Sequence, residues 1–176
     1  GVTAIDLSAK FRDDAVEATA GFRSAQGVNA DAQLSIGVAT NAPPGHVAAD
    51  APLRLALTAD MATLRVFQPW VGTAAVVDGN ARAELVALGT MARAPLSGTL
   101  RGEALRIDAP QYGVFFADGR LDARFADGTV KIEELSFVGG AGRFTASGTL
   151  ATPGEVRRDG QGAAARMTWR AEKFRL

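Results

Sequence analysis

APLSGTLRGEALRID (residues 94–108), GVFFADGRLDARF (113–125), GTVKIEELSF (128–137) and GRFTASGTL (142–150) follow one another with little between them. In each, apolar and polar residues alternate, and the segments are broken by Asp-Gly or Gly-Gly. Alternation at period two puts one set of side chains on each face of a sheet. Asp118-Gly119 and Asp127-Gly128 read as tight turns, because glycine accepts the positive φ that such turns need. Residues 94–150 therefore predict a meander of antiparallel strands with one apolar and one wet face. No catalytic group stands out among them, which makes the sheet itself the functional part.

Ile5–Phe11, Val16–Phe22 and Val28–Val38 alternate in the same way and predict a second meander, with a turn at Asp13-Asp14. Residues 41–52 contain Pro43-Pro44-Gly45 and form a loop, since proline cannot donate to a ladder. Leu53–Ala59 resumes a strand. One short helix is expected near 60–70: Asp60 as N-cap, Met61, Leu64, Phe67 and Trp70 as an apolar stripe, and Pro69 and Gly72 as its end. Asp78-Gly79-Asn80 reads as another turn, Ala81–Ala87 and Ala163–Ala171 as further strands, and 153–160 as a solvated turn. The pattern changes phase after Ala104, where Leu105 and Ile107 take over, and again between Ile132 and Leu135. A one-residue shift turns side chains onto the opposite face unless a bulge absorbs it, so bulges are expected near Ala104 and Glu133-Glu134.

At 176 residues with 47% apolar content and zero net charge, the chain suits a single all-β domain and lacks the basic patch of a nucleic-acid binder. Cysteine is absent, so there are no disulfides or thiolate metal sites, and no metal or cofactor is expected. No run reaches the roughly 20 apolar residues that span a bilayer, and residues 1–6 do not resemble a signal peptide. Both ends stop in strand patterns, which suggests a segment cut from a longer protein.

His46, the single histidine, sits in a Pro/Gly loop without a second ligand and reads as a loop residue. Asp13-Asp14, Asp118, Asp127 and Glu133-Glu134 offer carboxylates for a carbohydrate-active enzyme, but they occupy turn or outward positions. Gly139-Gly140-Ala141-Gly142 joins two strands with no helix after it, so it reads as a hairpin loop rather than a phosphate cradle. Arg157-Arg158, Arg166 and Arg170 are basic but balanced by acids. The collective feature says more: the inward positions are uniformly apolar, with many alanines. That suits either an ordinary sandwich or barrel core, or an apolar surface holding something other than protein.

Residues 53–64 (LRLALTADMATL) are similar to a strand leading into the short helix of the TamB family, the translocation and assembly module. Residues 79–98 (GNARAELVALGTMARAPLSG) resemble its recurring G-x-L-x-A-x-L-x-x-x-G-T-x-x-x-P-x-L-x-G pattern. Gly113, Asp118-Gly119, 142–150 and 167–174 continue it, so the resemblance covers roughly residues 50–176. It implies a carboxyl-terminal segment of a periplasmic protein anchored in the inner membrane of a diderm bacterium, related to AsmA-like and bridge-like lipid-transfer proteins. Its fold would be an elongated U-shaped trough, a β-taco, with an apolar interior. Its function would be non-enzymatic: phospholipid transport, outer-membrane protein assembly, or both. Expected partners are a TamA-like outer-membrane barrel of the Omp85 type, phospholipid acyl chains or nascent outer-membrane strands, and neighbouring segments of the same chain. The expected lining is Leu34, Ile36, Val38, Leu55, Leu57, Leu85, Leu96, Leu100, Leu121, Phe125, Ile132, Phe137, Phe144 and Leu150, each offering apolar contact and no chemistry. The alternative is a docking module that contacts the barrel by strand addition at a bare sheet edge.

Overall fold

The computed structural model describes residues 2–12, 15–38, 48–151 and 165–173. They form ten antiparallel strands in one open, uncurled sheet whose spatial order is the chain order. The strands are β1 (Val2–Phe11), β2 (Ala15–Ser24), β3 (Val28–Gly37), β4 (Pro52–Met61), β5 (Val76–Thr90), β6 (Leu96–Ala109), β7 (Val114–Ala126), β8 (Thr129–Gly139), β9 (Gly142–Ala151) and β10 (Ala165–Glu172). Proline is tolerated at Pro52 because it opens its strand. At Asp127 and Gly128 both φ angles are positive, +50° and +71°, which makes the tight hairpin turn the dipeptide predicts. Met91 and Ala92 turn β5 into β6, closed by paired hydrogen bonds of 2.9 Å between Thr90 and Arg93.

Two other glycine dipeptides are not turns. Asp118-Gly119 lies inside β7, with Asp118 at φ +49°, and Gly79 lies inside β5 at φ +123°. Both are irregularities within continuous strands: the register shifts between Asp78 and Asn80, and between Ala117 and Arg120. Left-handed backbone next to glycine serves a bulge as well as it serves a turn. The two anticipated bulges are present. Ala104, at φ +50°, is an extra residue between Gly102 and Leu105, and Glu133 is extra between Ile132 and Glu134. Ala104 itself is exposed and belongs to neither run of inward residues.

The helical segment begins later than the sequence suggests. Asp60 and Met61 still belong to β4. A 3-10 turn over Leu64–Phe67 follows, capped by Thr63, and α1 covers Gln68–Val71. Thr63 caps because its extended backbone lets its hydroxyl accept from the Arg65 N–H. Pro69 sits in the first turn of α1, where its missing donor costs nothing, rather than ending the helix. Gly72 ends it at φ +77°.

Each strand packs on the strands beside it, and the helical segment packs on β5. Among the described residues no second sheet faces the first, which rules out the sandwich alternative for this part of the chain. Burial follows from this. A side chain in a single layer is shielded only by its lateral neighbours, so mostly short ones are covered. Ala83, Ala87, Ala123 and Ala146 are buried, while no large side chain is fully buried. Val28 and Phe137 are the larger buried residues, Phe137 at 8% exposure lying over Gly119 and against the Phe116 ring at 5.6 Å.

Candidate functional site: the apolar face of the sheet

Cross-strand partners share a face, so the registers show which side chains stand together. One row runs Leu7, Ala20, Ala32, Leu57, Leu85, Gly98, Phe125, Val130, Leu150 and Ala165 through all ten strands. The next runs Ile5, Phe22, Ala30, Ala59, Ala83, Leu100, Ala123, Ile132, Gly148 and Met167. Leu34 pairs with Leu55, then Ala87 and Leu96, and Ile36 pairs with Leu53. Leu121 pairs with Leu135, and Phe137 with Phe144. Thirteen of the fourteen expected lining residues thus stand on one face. Val38 does not join them, because β3 ends at Gly37.

The face stays apolar because the bulges compensate one another. Inward residues of β6 are Leu96 to Gly102 at even numbers, then Leu105 and Ile107 at odd ones. In β7 they run Phe125 to Gly119, then Phe116 and Val114; in β8, Val130 and Ile132, then Leu135 and Phe137. Each of three adjacent strands carries one extra residue, at successive levels along β7, so each changes phase once and no polar side chain turns inward. Phe116, Leu105, Ile107, Val130 and Leu135 belong to this face as fully as the expected residues do. Phe116 was hidden by the reading of Asp118-Gly119 as a turn. The signal for it was the phase change between Phe116 and Leu121.

Ten strands at about 4.8 Å, each with some eight paired residues at about 3.3 Å, give this face on the order of 1,200 Å². A soluble monomer's largest apolar patch is about 300–600 Å². A shallow hollow of ≈530 Å³ opens over Leu7, Ala9, Ala18, Ala20, Ala32, Leu34 and Leu55. The opposite face is polar and knitted by exposed ion pairs. Arg23 Nη2 reaches both Asp31 carboxylate oxygens at 2.9 Å, Arg82 meets Glu84 at 3.0 Å, and Arg101 meets Asp122 at 3.7 Å.

The carboxylates do not assemble into a reactive pair. Glu133 meets Lys131 at 3.3 Å, and Glu134 accepts from the Ser136 hydroxyl at 3.0 Å. Asp118 and Asp127 are exposed at separate bends. Among the described residues no three His, Asp or Glu side chains gather. Residues 139–142 close the β8–β9 hairpin, with Gly139 opposite Gly142. His46, Asp13-Asp14, Arg157-Arg158 and most of the 41–52 loop lie outside the described residues. Arg166 and Arg170 stand exposed on β10, where Arg170 meets Glu172 at 3.8 Å.

One polar cluster has a defined geometry. Asp78 Oδ1 accepts from the Thr63 hydroxyl at 2.9 Å and from the Gly79 N–H at 2.8 Å, while Oδ2 accepts from Arg65 Nε at 2.6 Å. The Gly79 N–H does most to hold the Asp78 carboxyl below the usual carboxylate range; partial desolvation opposes it, and Thr63 and Arg65 add to it. This clasp pins the helical segment to β5. No protein-family profile, curated protein or solved structure matches the chain.

Proposed function

We propose that the chain is a non-enzymatic segment of a TamB-like translocation and assembly module, whose apolar face holds phospholipid acyl chains or nascent outer-membrane strands between two membranes. The observation that carries this reading is a continuous apolar face crossing all ten strands, with no layer over it among the described residues. Sequestering an acyl chain is worth about 0.8 kcal/mol per fully buried CH₂. A flat face shields roughly half of a chain lying on it, so curling into a U-shaped trough would about double that gain. We therefore propose that the open sheet closes around its cargo as part of a longer trough built with neighbouring segments. The rows of Leu, Ala and Phe offer no polar group to fix a ligand, which suits cargo that slides. A periplasmic setting in a diderm bacterium, anchored at the inner membrane, completes the proposal and rests on the family resemblance.

The test is photo-crosslinking with probes at Ile36 and Phe125 on the apolar face and Arg124 on the polar one. Capture of lipid or an apolar client at the first two and not the third is expected. Capture at Arg124 alone would overturn the proposal.

A second reading is favoured by the edges. β1 presents Ile5, Leu7 and Phe11 at 60–81% exposure, and every described side chain of β10 is exposed. Unpaired edge strands template pairing, so the chain would dock to a TamA-like barrel by strand addition. Here proline at Ser8 or Thr168 abolishes pull-down of the barrel, whereas Leu57→Gln and Leu100→Gln leave it intact. The opposite pattern rejects docking.

A further inference from the structure

Two uncharged segments meet at one end of the sheet. Residues 66–77 carry the helical excursion and the entry to β5, and residues 109–117 carry the β6–β7 connection; neither contains Asp, Glu, Lys or Arg. Gln111 Nε2 donates to the Ala74 carbonyl at 3.3 Å and ties the second segment to the first. Together they present Phe67, Trp70, Val71, Val76, Tyr112 and Phe115 to solvent, with Trp70 77% and Tyr112 72% exposed. The Phe67 and Trp70 rings lie 5.8 Å apart.

This patch is separate from the apolar face. Val76 pairs with Asp108, and Asp108 with Phe115, whereas the face carries the alternate set Val77, Ile107 and Phe116. Adjoining the aromatic tip are two ion pairs, Arg65–Asp78 and Arg106–Asp108, each at 2.6 Å. Asp78 and Arg106 are themselves cross-strand partners. Asp108 thus shares the row of Val76 and Phe115, while Asp78 and Arg106 stand further along the strands, so equal numbers of both charge signs adjoin the rings.

We propose that this end of the sheet inserts into a lipid surface of zwitterionic headgroups. Trp and Tyr favour the boundary where an apolar ring meets water. The paired charges beside them match headgroups that carry both signs, and they give no net attraction to anionic lipid. A protein interface would be served by the same rings but would not call for balanced charge beside them. The proposal is independent of the trough reading.

The chain has two tryptophans, Trp70 and Trp169. Trp169→Phe therefore leaves Trp70 as the sole reporter at the tip, and Trp70→Phe leaves Trp169 as the sole reporter on the apolar face. The probe is phosphatidylcholine vesicles with and without brominated acyl chains. In Trp169→Phe, Trp70 emission shifts to the blue and is quenched by bromine. Partitioning changes little with added salt or added phosphatidylglycerol, and Phe67→Ser/Tyr112→Ser/Phe115→Ser weakens it by at least about tenfold. Should that triple variant lose its fold by circular dichroism, Val71→Glu places one charge at the exposed tip and weakens partitioning severalfold.

Bromine quenching of Trp169 without quenching of Trp70 would overturn the insertion and leave the trough reading standing. Quenching of neither would overturn it as well. So would a Trp70 that ignores vesicles yet is shielded by a purified outer-membrane barrel, which would make the patch a protein interface. Binding that falls away with salt would overturn the zwitterionic preference.

Discussion

At Gly98, β6 runs so close to β5 that an added Cβ would strike the Glu84 carbonyl oxygen, and the residue's φ is +137°. Gly113 also has positive φ, +68°, but a Cβ there would meet nothing within 4 Å. Gly113→Ala therefore bears left-handed strain alone, about 1 kcal/mol, while Gly98→Ala adds a backbone clash and should cost about 2–4 kcal/mol. Thermal melting of the two variants separates these effects, and equal losses would refute the close approach. Asp78 makes a different prediction. Its folded pKa is depressed, so its stabilisation is complete above the ordinary carboxylate value of 3.8 and is lost as pH falls through the folded value. Acidification from pH 5 to below 3.8 should loosen the 63–79 segment, read as faster proteolysis near Trp70. Asp78→Ala should be loose at every pH, losing about 1–2 kcal/mol of local stability.

Among the elements, the three bulged strands carry the most specific expectation. Deleting Ala104 would put Leu105 and Ile107 on the polar face beyond the bulge or break the pairing with β7. Misplacing two large apolar side chains should cost about 2 kcal/mol or more. Deleting one extra residue from each of β6, β7 and β8 restores a common phase and should recover part of the loss in chemical denaturation. These strands also show how far sequence carries. Alternation located the strands, though predicted turns at Asp78-Gly79-Asn80 and Asp118-Gly119 cut β5 and β7, and the phase changes at Ala104 and Glu133 located two bulges. The third, at Asp118, read as a turn because Asp-Gly next to alternating residues satisfies both geometries locally. Only pairing with β6 and β8 distinguishes them. The helix start was misplaced for a related reason: Asp60 is a good cap in isolation, but its neighbours pair with β3 and β5, and ladder hydrogen bonds outweigh a cap. That thirteen of the named residues share a face was legible because period two fixes face, whereas the Thr63–Arg65–Asp78 clasp spans elements and leaves no periodic trace.

For the whole molecule, protection should track position in the sheet. Amides of β5–β8 have partners on both sides, while among the described residues β1 and β10 each have one free edge. Hydrogen exchange should be slowest in the middle and at least about tenfold faster at the two outer strands. A uniform profile would mean the edges are paired to another copy. Chain order and spatial order coincide, so every strand needs only the one made just before it. Such a ribbon can be laid down hairpin by hairpin as it emerges, without waiting for distant residues to return. Its span across a gap can be lengthened or trimmed by whole hairpins with no rethreading of what is already in place.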